Sequence, residues 1–218
     1  DHMVALREHG FTDIAPVDIM DEDGSISLPF ARGKHITENY VGAHFANYDS
    51  FVILSHFKGH AMAGFGGAIK NVAIGIASAE GKMWIHTGGE TRALGRFILC
   101  YKVKKELFLE SMAEAAGSVV EKLGTDRIVY VSLMNNLSID CDCNKNPAPA
   151  ELDDIGVLAS FDPVALDRAC VDLIYAADSE KSASLRERIE SRNGVHVLDH
   201  AESLGIGRQQ YTLVGIDA

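Results

Sequence analysis

Residues 50–71 read SFVILSHFKGHAMAGFGGAIKN, and the order of their parts decides the fold class. The continuous apolar run at 51–54 is the pattern of a buried strand in a parallel sheet. A turn dense in glycine comes next. The stretch GAIKNVAIGIAS then predicts a helix that begins near Gly66 or Gly67.

Outward from this block the same alternation continues. Upstream, residues 1–10 predict a short helix ended by Gly10, residues 17–28 two short strands around the solvated acidic turn 21–24, and residues 37–49 a helix. Downstream, Val103, Leu107, Phe108, Met112, Ala116, Val119, Val120 and Leu123 recur at helical spacing, with Gly124 as the stop. DRIVYVSLM and DIGVLAS predict strands. Asp162-Pro163 predicts a capped helix start, residues 182–192 and 197–205 two further helices, and YTLVGI at 211–216 a last strand. Alternating strands and helices imply an α/β fold with a mostly parallel or mixed sheet and helices on both faces. With no repeat or linker to divide it, the chain reads as one domain.

The 218 residues carry 20 Lys+Arg against 31 Asp+Glu, a net charge of −11. Such a surface repels nucleic acid and anionic membrane on average, and no apolar run has the length of a span. The chain is therefore expected to be cytoplasmic, with neither nucleic acid nor membrane as partner. Four cysteines, Cys100, Cys141, Cys143 and Cys170, form no secreted-style framework and are expected to be reduced. Cys170 falls on an apolar helix face and reads as core.

The chemistry concentrates in the opening block. His56, Lys58 and His60 occupy alternate positions at the carboxyl end of the first strand, where open α/β sheets bind ligands. Histidine moves protons near neutral pH, and a lysine in a dry pocket becomes a nucleophile. Gly64, Gly66 and Gly67 have two readings: a turn that lets backbone N–H groups meet an anion, or a tight turn packed between helix and sheet. They match neither the P-loop nor the dinucleotide fingerprint. Cys141 and Cys143 in an extended segment place two sulfurs on one face, suited to a soft metal that needs a further ligand. His196 and His200 lie four apart on a predicted amphipathic helix and read as exposed.

Four ordered blocks, SHFKGHAMAGFGGAIKN, GKMWIH ending at His86, CDC at 141–143 and DIGVLASFDPVALDRA from Asp154, resemble an uncharacterised family, domain of unknown function 362. The resemblance implies an upstream N-terminal part and a ferredoxin-like insertion that this sequence lacks. With only Cys100 in the interval of that insertion, no standard ferredoxin cluster is expected. A more distant similarity is to the nickel-pincer lactate racemases. His60, Lys70 and His86 reproduce two of their intervals around AGFGGAIK, which implies Lys70 as covalent anchor of the cofactor, His86 as metal ligand and His60 as acid/base. The upstream acid/base histidine of those enzymes has no secure match among His35 and His44.

The sequence thus predicts a metal- or cofactor-binding protein of racemase-like acid/base chemistry on a small polar acid. His60, His56 and Lys58 are its catalytic candidates. Lys70, Gly64, Gly66 and Gly67 would hold a small anionic molecule or cofactor, and His86, Cys141 and Cys143 a divalent nickel, zinc or iron. The competing prediction is a non-catalytic accessory protein that holds iron or zinc at the CDC loop and serves a redox partner.

Overall fold

A computed structural model of the chain describes residues 2–216. In chain order the elements are α1 (His2–Glu8), β1 (Ser25–Pro29), β2 (Glu38–Gly42), β3 (Phe51–His56), β4 (Lys58–His60), β5 (Gly64–Gly66), α2 (Ala68–Gly75), α3 (Ala79–His86), α4 (Lys105–Leu123), β6 (Ile128–Met134), β7 (Gly156–Ser160), α5 (Pro163–Ala176), α6 (Ala183–Ser191) and α7 (His196–Ser203). This is an α/β fold with a mixed sheet. Its main sheet has the order β3-β6-β7, β3 and β6 parallel, β6 and β7 antiparallel.

Local chemistry explains the elements the sequence announces. The Asp162 side chain accepts from the N–H groups of Val164 and Ala165 at 2.8 and 3.0 Å, and Pro163 occupies the first helical turn of α5. The run of α4 ends where Gly124 takes a φ of 93°, a conformation that side chains resist. α3 is less legible, because Gly81 interrupts its apolar pattern. Its start is fixed by Ser78, whose hydroxyl accepts from the Gly81 N–H at 3.1 Å, and Gly81 lets the helix press against the backbone of Tyr40.

Three local expectations are corrected. Residues 37–49 form β2 and a 3-10 turn over Ala43–Asn47 instead of a helix. Asn39 and Val41 alternate inward along β2, and pairing with β1 outweighs local helix preference. Residues 17–20 make no strand. Residues 211–216 run in no ladder, although their composition suits one.

The core joins α2, α4 and α5 beneath the sheet, with Phe65, Ile69, Phe108, Met112 and Ile174 buried. α2 and α5 touch each other as well as the strands, so both lie on the face that carries Ile53, Ser55, Tyr130 and Ser132. On the opposite face Val52 and Leu54 are 70 and 60 % exposed. Helical cover over the described residues is thus one-sided, and SFVILS is a buried strand on one face only.

Candidate functional site

The hydrogen-bonded ladder of β3 and β6 ends at His56 and Leu133. Beyond that carboxyl edge the chain does two things. After β3 it folds at once into the β4–β5 hairpin, Lys58 opposite Gly66 and His60 opposite Gly64. After β6 it runs into the loop that carries the CDC block. Between hairpin, loop and α2 lies a cavity of about 280 Å³, lined among others by His56, Lys58, Gly66, Lys70 and Asp142.

Asp142 is the residue that sequence reasoning passed over. It accepts from His56 Nδ1 at 2.9 Å and from Lys58 Nζ at 2.7 Å, and His56 Nε2 lies 2.7 Å from the Asn135 carbonyl oxygen. His56 and Lys58 therefore do share a side, as alternation predicts. Burial works against the Asp142 carboxylate, but the Lys58 ion pair and the His56 hydrogen bond hold it below its ordinary range. The signal available in the sequence was its position between two cysteines, where a turn sends neighbouring side chains in different directions.

Lys70, His60 and His86 form the deeper part. Lys70 sits in the first turn of α2, and burial lowers its pKa; Cys141, Cys143 and Asp142 act in the opposite direction and Lys58 with it. No carboxylate or hydrogen-bond partner of its Nζ is found among the described residues. His60 Nδ1 accepts from the N–H groups of Met62 and Ala63 at 3.2 and 3.0 Å, which leaves the proton on Nε2. Burial, with Lys70 and His86 nearby, presses His60 down to about 3. His86, at the end of α3, donates from Nδ1 to the Lys82 carbonyl at 2.6 Å and stacks on Phe108. Burial lowers it too, with Lys70 contributing. His60 feels the charges of Lys70 and His86, and His86 that of Lys70, so the hairpin, α2 and α3 deliver the three groups to one place.

The glycines resolve in favour of close packing. At Gly64, with a φ of 83°, a Cβ would lie 2.9 Å from Gly194; at Gly67 it would meet the Asp167 carboxylate at 2.3 Å. That carboxylate takes the N–H groups of Ala68 and Ile69 at 2.6 and 2.9 Å. The helix N-terminus expected to receive a phosphate is thus filled by the chain's own anion. Burial pushes Asp167 up to about 7. Gly66 and Gly67 both border the cavity, and at Gly66 a Cβ would press on the Lys70 stem at 3.2 Å.

The metal set does not assemble. Among the described residues no group of three or more His, Cys, Asp or Glu stands close enough to hold an ion. CDC lies in a turn, with the Asn144 N–H donating to the Cys141 carbonyl at 2.8 Å, and not in an extended segment. The Cys141 thiol instead hydrogen-bonds Cys143 and raises its pKa. A pincer nucleotide fits poorly for a related reason: its phosphate would need N–H groups that Asp167 already holds. Cys170 is buried core.

His35 and His44 lie elsewhere, paired with Glu110 and with Asp18 and Asp23. His196 and His200 are not exposed as expected. They donate to Glu110 and Glu114, each at 2.9 Å.

No curated protein and no solved structure matches the chain. A family model does: the one described as "Domain of unknown function (DUF362)" matches residues 1–172, so the chain belongs to the DUF362 family.

Proposed function

We propose that the cavity at the carboxyl edge binds a small anionic acid and moves a proton on it, a racemase- or epimerase-like reaction. The observation that carries this reading is the Lys70 ε-amino group, set beside two histidines without a direct ion pair among the described residues, the one carboxylate of its cavity, Asp142, being taken by Lys58 and His56. An unpaired buried cation is costly, and an anionic ligand removes the cost by supplying the missing charge. Lys58, already anchored by Asp142, adds a second positive group at the mouth. Burial keeps His60 and His86 neutral, and their hydrogen bonds give them different parts. His86, whose Nδ1–H is held by the Lys82 carbonyl, has Nε2 free to accept a proton from carbon, while His60 offers its Nε2–H as the acid and Lys70 meets the developing negative charge.

The test is binding of inorganic phosphate and of D- and L-lactate by calorimetry, followed by exchange of the lactate α-proton for deuterium. Binding lost in Lys70→Met and kept in His86→Gln, with exchange lost in both, is the expected pattern. Binding that survives Lys70→Met removes the proposal.

A second reading, an iron- or zinc-holding accessory protein, is favoured by the facing thiols of Cys141 and Cys143. It requires a third ligand from outside the described residues. Metal content unchanged by the double Cys→Ser substitution excludes it.

A further inference from the structure

The strand-like segment at 211–216 has no role in the pocket, yet its surroundings define one. β7 is an edge strand: β6 pairs with one side, and among the described residues no strand pairs with the other. Such an edge presents unpaired N–H and C=O groups. Residues 211–216 run alongside it but form no ladder, and no backbone–backbone hydrogen bond involves them among the described residues. Between the two lies a slot of about 750 Å³, walled by β7 and by 211–216 and floored by the small side chains Ala165 and Ala169 of α5.

The segment is held at this distance. The Arg208 N–H donates to Asp162 at 2.8 Å, the Gln209 N–H to Glu202 at 2.8 Å, and the Tyr211 hydroxyl to Asp172 at 2.9 Å. Past these anchors Val214 and Ile216 are 71 and 91 % exposed.

A strand advances about 3.3 Å per residue, lies about 4.8 Å from its neighbours and fills a layer about 10 Å deep, or about 160 Å³ per residue. The slot therefore has room for about five residues of one strand. Neither β7 nor residues 211–216 contain a charged side chain, so a charged strand would be buried without partners. The occupant must be extended, uncharged and apolar at alternate positions.

We infer that the slot takes residues 211–216 of a second copy of this chain, so that two copies join through exchanged strands. The arrangement closes on itself. With a two-fold axis between the two antiparallel segments, the strand order becomes β7, partner segment, own segment, partner β7. Each copy then fills the other's slot, as an isologous interface requires. The same operation pairs both edges of each exchanged segment with backbone and covers Leu213, Val214 and Ile216.

Sedimentation equilibrium of the 218-residue chain and of Val214→Pro tests this. In the inferred dimer each segment is a central strand, so every N–H of it is used, and proline at 214 removes one in each copy. The expected result is a wild-type dimer whose dissociation constant rises about a hundredfold in Val214→Pro, with the thermal midpoint of the dilute monomer unchanged because Val214 is exposed there. Slowed amide exchange over 212–216 in the dimer supports the same geometry. A wild-type chain that stays monomeric at the highest concentrations measured overturns the inference. So does a dimer that survives Val214→Pro but dissociates in Val52→Lys/Leu54→Lys, which would place the contact on the open sheet face.

Discussion

Two clusters in this molecule have nearly the same ingredients and opposite accounting. In the junction of α4 with α7 and the loop before β2, two glutamates face three histidines and a lysine. Glu114, fully buried, accepts from the N–H groups of Lys34, His35 and Ile36 at 2.9, 3.0 and 2.8 Å and from His200 at 2.9 Å. Glu110 takes Lys34 at 3.0 Å, His196 at 2.9 Å and the His35 ring. Burial opposes these charges, yet the hydrogen bonds from His35, Lys34 and His196 take Glu110 down to about 2. At the carboxyl edge of the sheet the deep groups are Lys70, His60 and His86, and among the described residues no carboxylate pairs with them, since Asp142 is taken by Lys58 and His56. The first cluster is satisfied and ties three segments together; the second lacks an anion. Histidine content does not distinguish a site from a brace, whereas the balance of partners does.

The largest expected effect tests the brace. Glu114→Ala leaves three N–H groups and His200 without their acceptor, and it should cost about 3–5 kcal/mol in urea unfolding, or roughly 10 °C in the thermal midpoint. Lys70→Met is the counterpart. It should leave stability within about 1 kcal/mol or raise it, since an unpaired buried amine is lost, while phosphate affinity falls more than about tenfold. A Lys70→Met protein as damaged as Glu114→Ala would erase the contrast between the two clusters.

Acid sharpens the comparison. His60 titrates near 3 in the fold against 6.5 when free, so the folded chain binds fewer protons between those values. Its contribution is present above pH 6.5 and is lost as pH falls toward 3, at up to about 1.4 kcal/mol per pH unit. His60→Asn, which keeps an acceptor for Met62 and Ala63, should flatten that limb in urea titrations across the range. Glu110 works in a lower window, its support present above 4.5 and lost as pH falls through 2. Glu110→Gln should therefore match wild type at the acid end and diverge from it as pH rises. The smallest effect belongs to His196→Gln, about 1 kcal/mol, because Glu110 keeps Lys34 and His35. A loss as large as that of Glu114→Ala would show that the brace acts as a single unit.

Legible in the amino-acid order alone were the α/β class, the long helix over Lys105–Leu123, the Asp162 cap, the strands on either side of the CDC loop, and the shared side of His56 and Lys58 at a strand end. These follow from short-range rules of periodicity, capping chemistry and strand-end position, which are written within a few residues. Tertiary structure decided the rest. It made β2 a strand by giving it β1 as partner, left 211–216 without a ladder, and set Asp142 opposite His56 and Lys58. It also turned His196 and His200 toward glutamates 86 residues away. Asp167 reaches the start of α2 from 99 residues downstream, converting an expected phosphate cradle into a closed helix cap. Pairing of charges and hydrogen-bonding groups is a property of which distant segments meet, and residue type alone carries only the capacity for it.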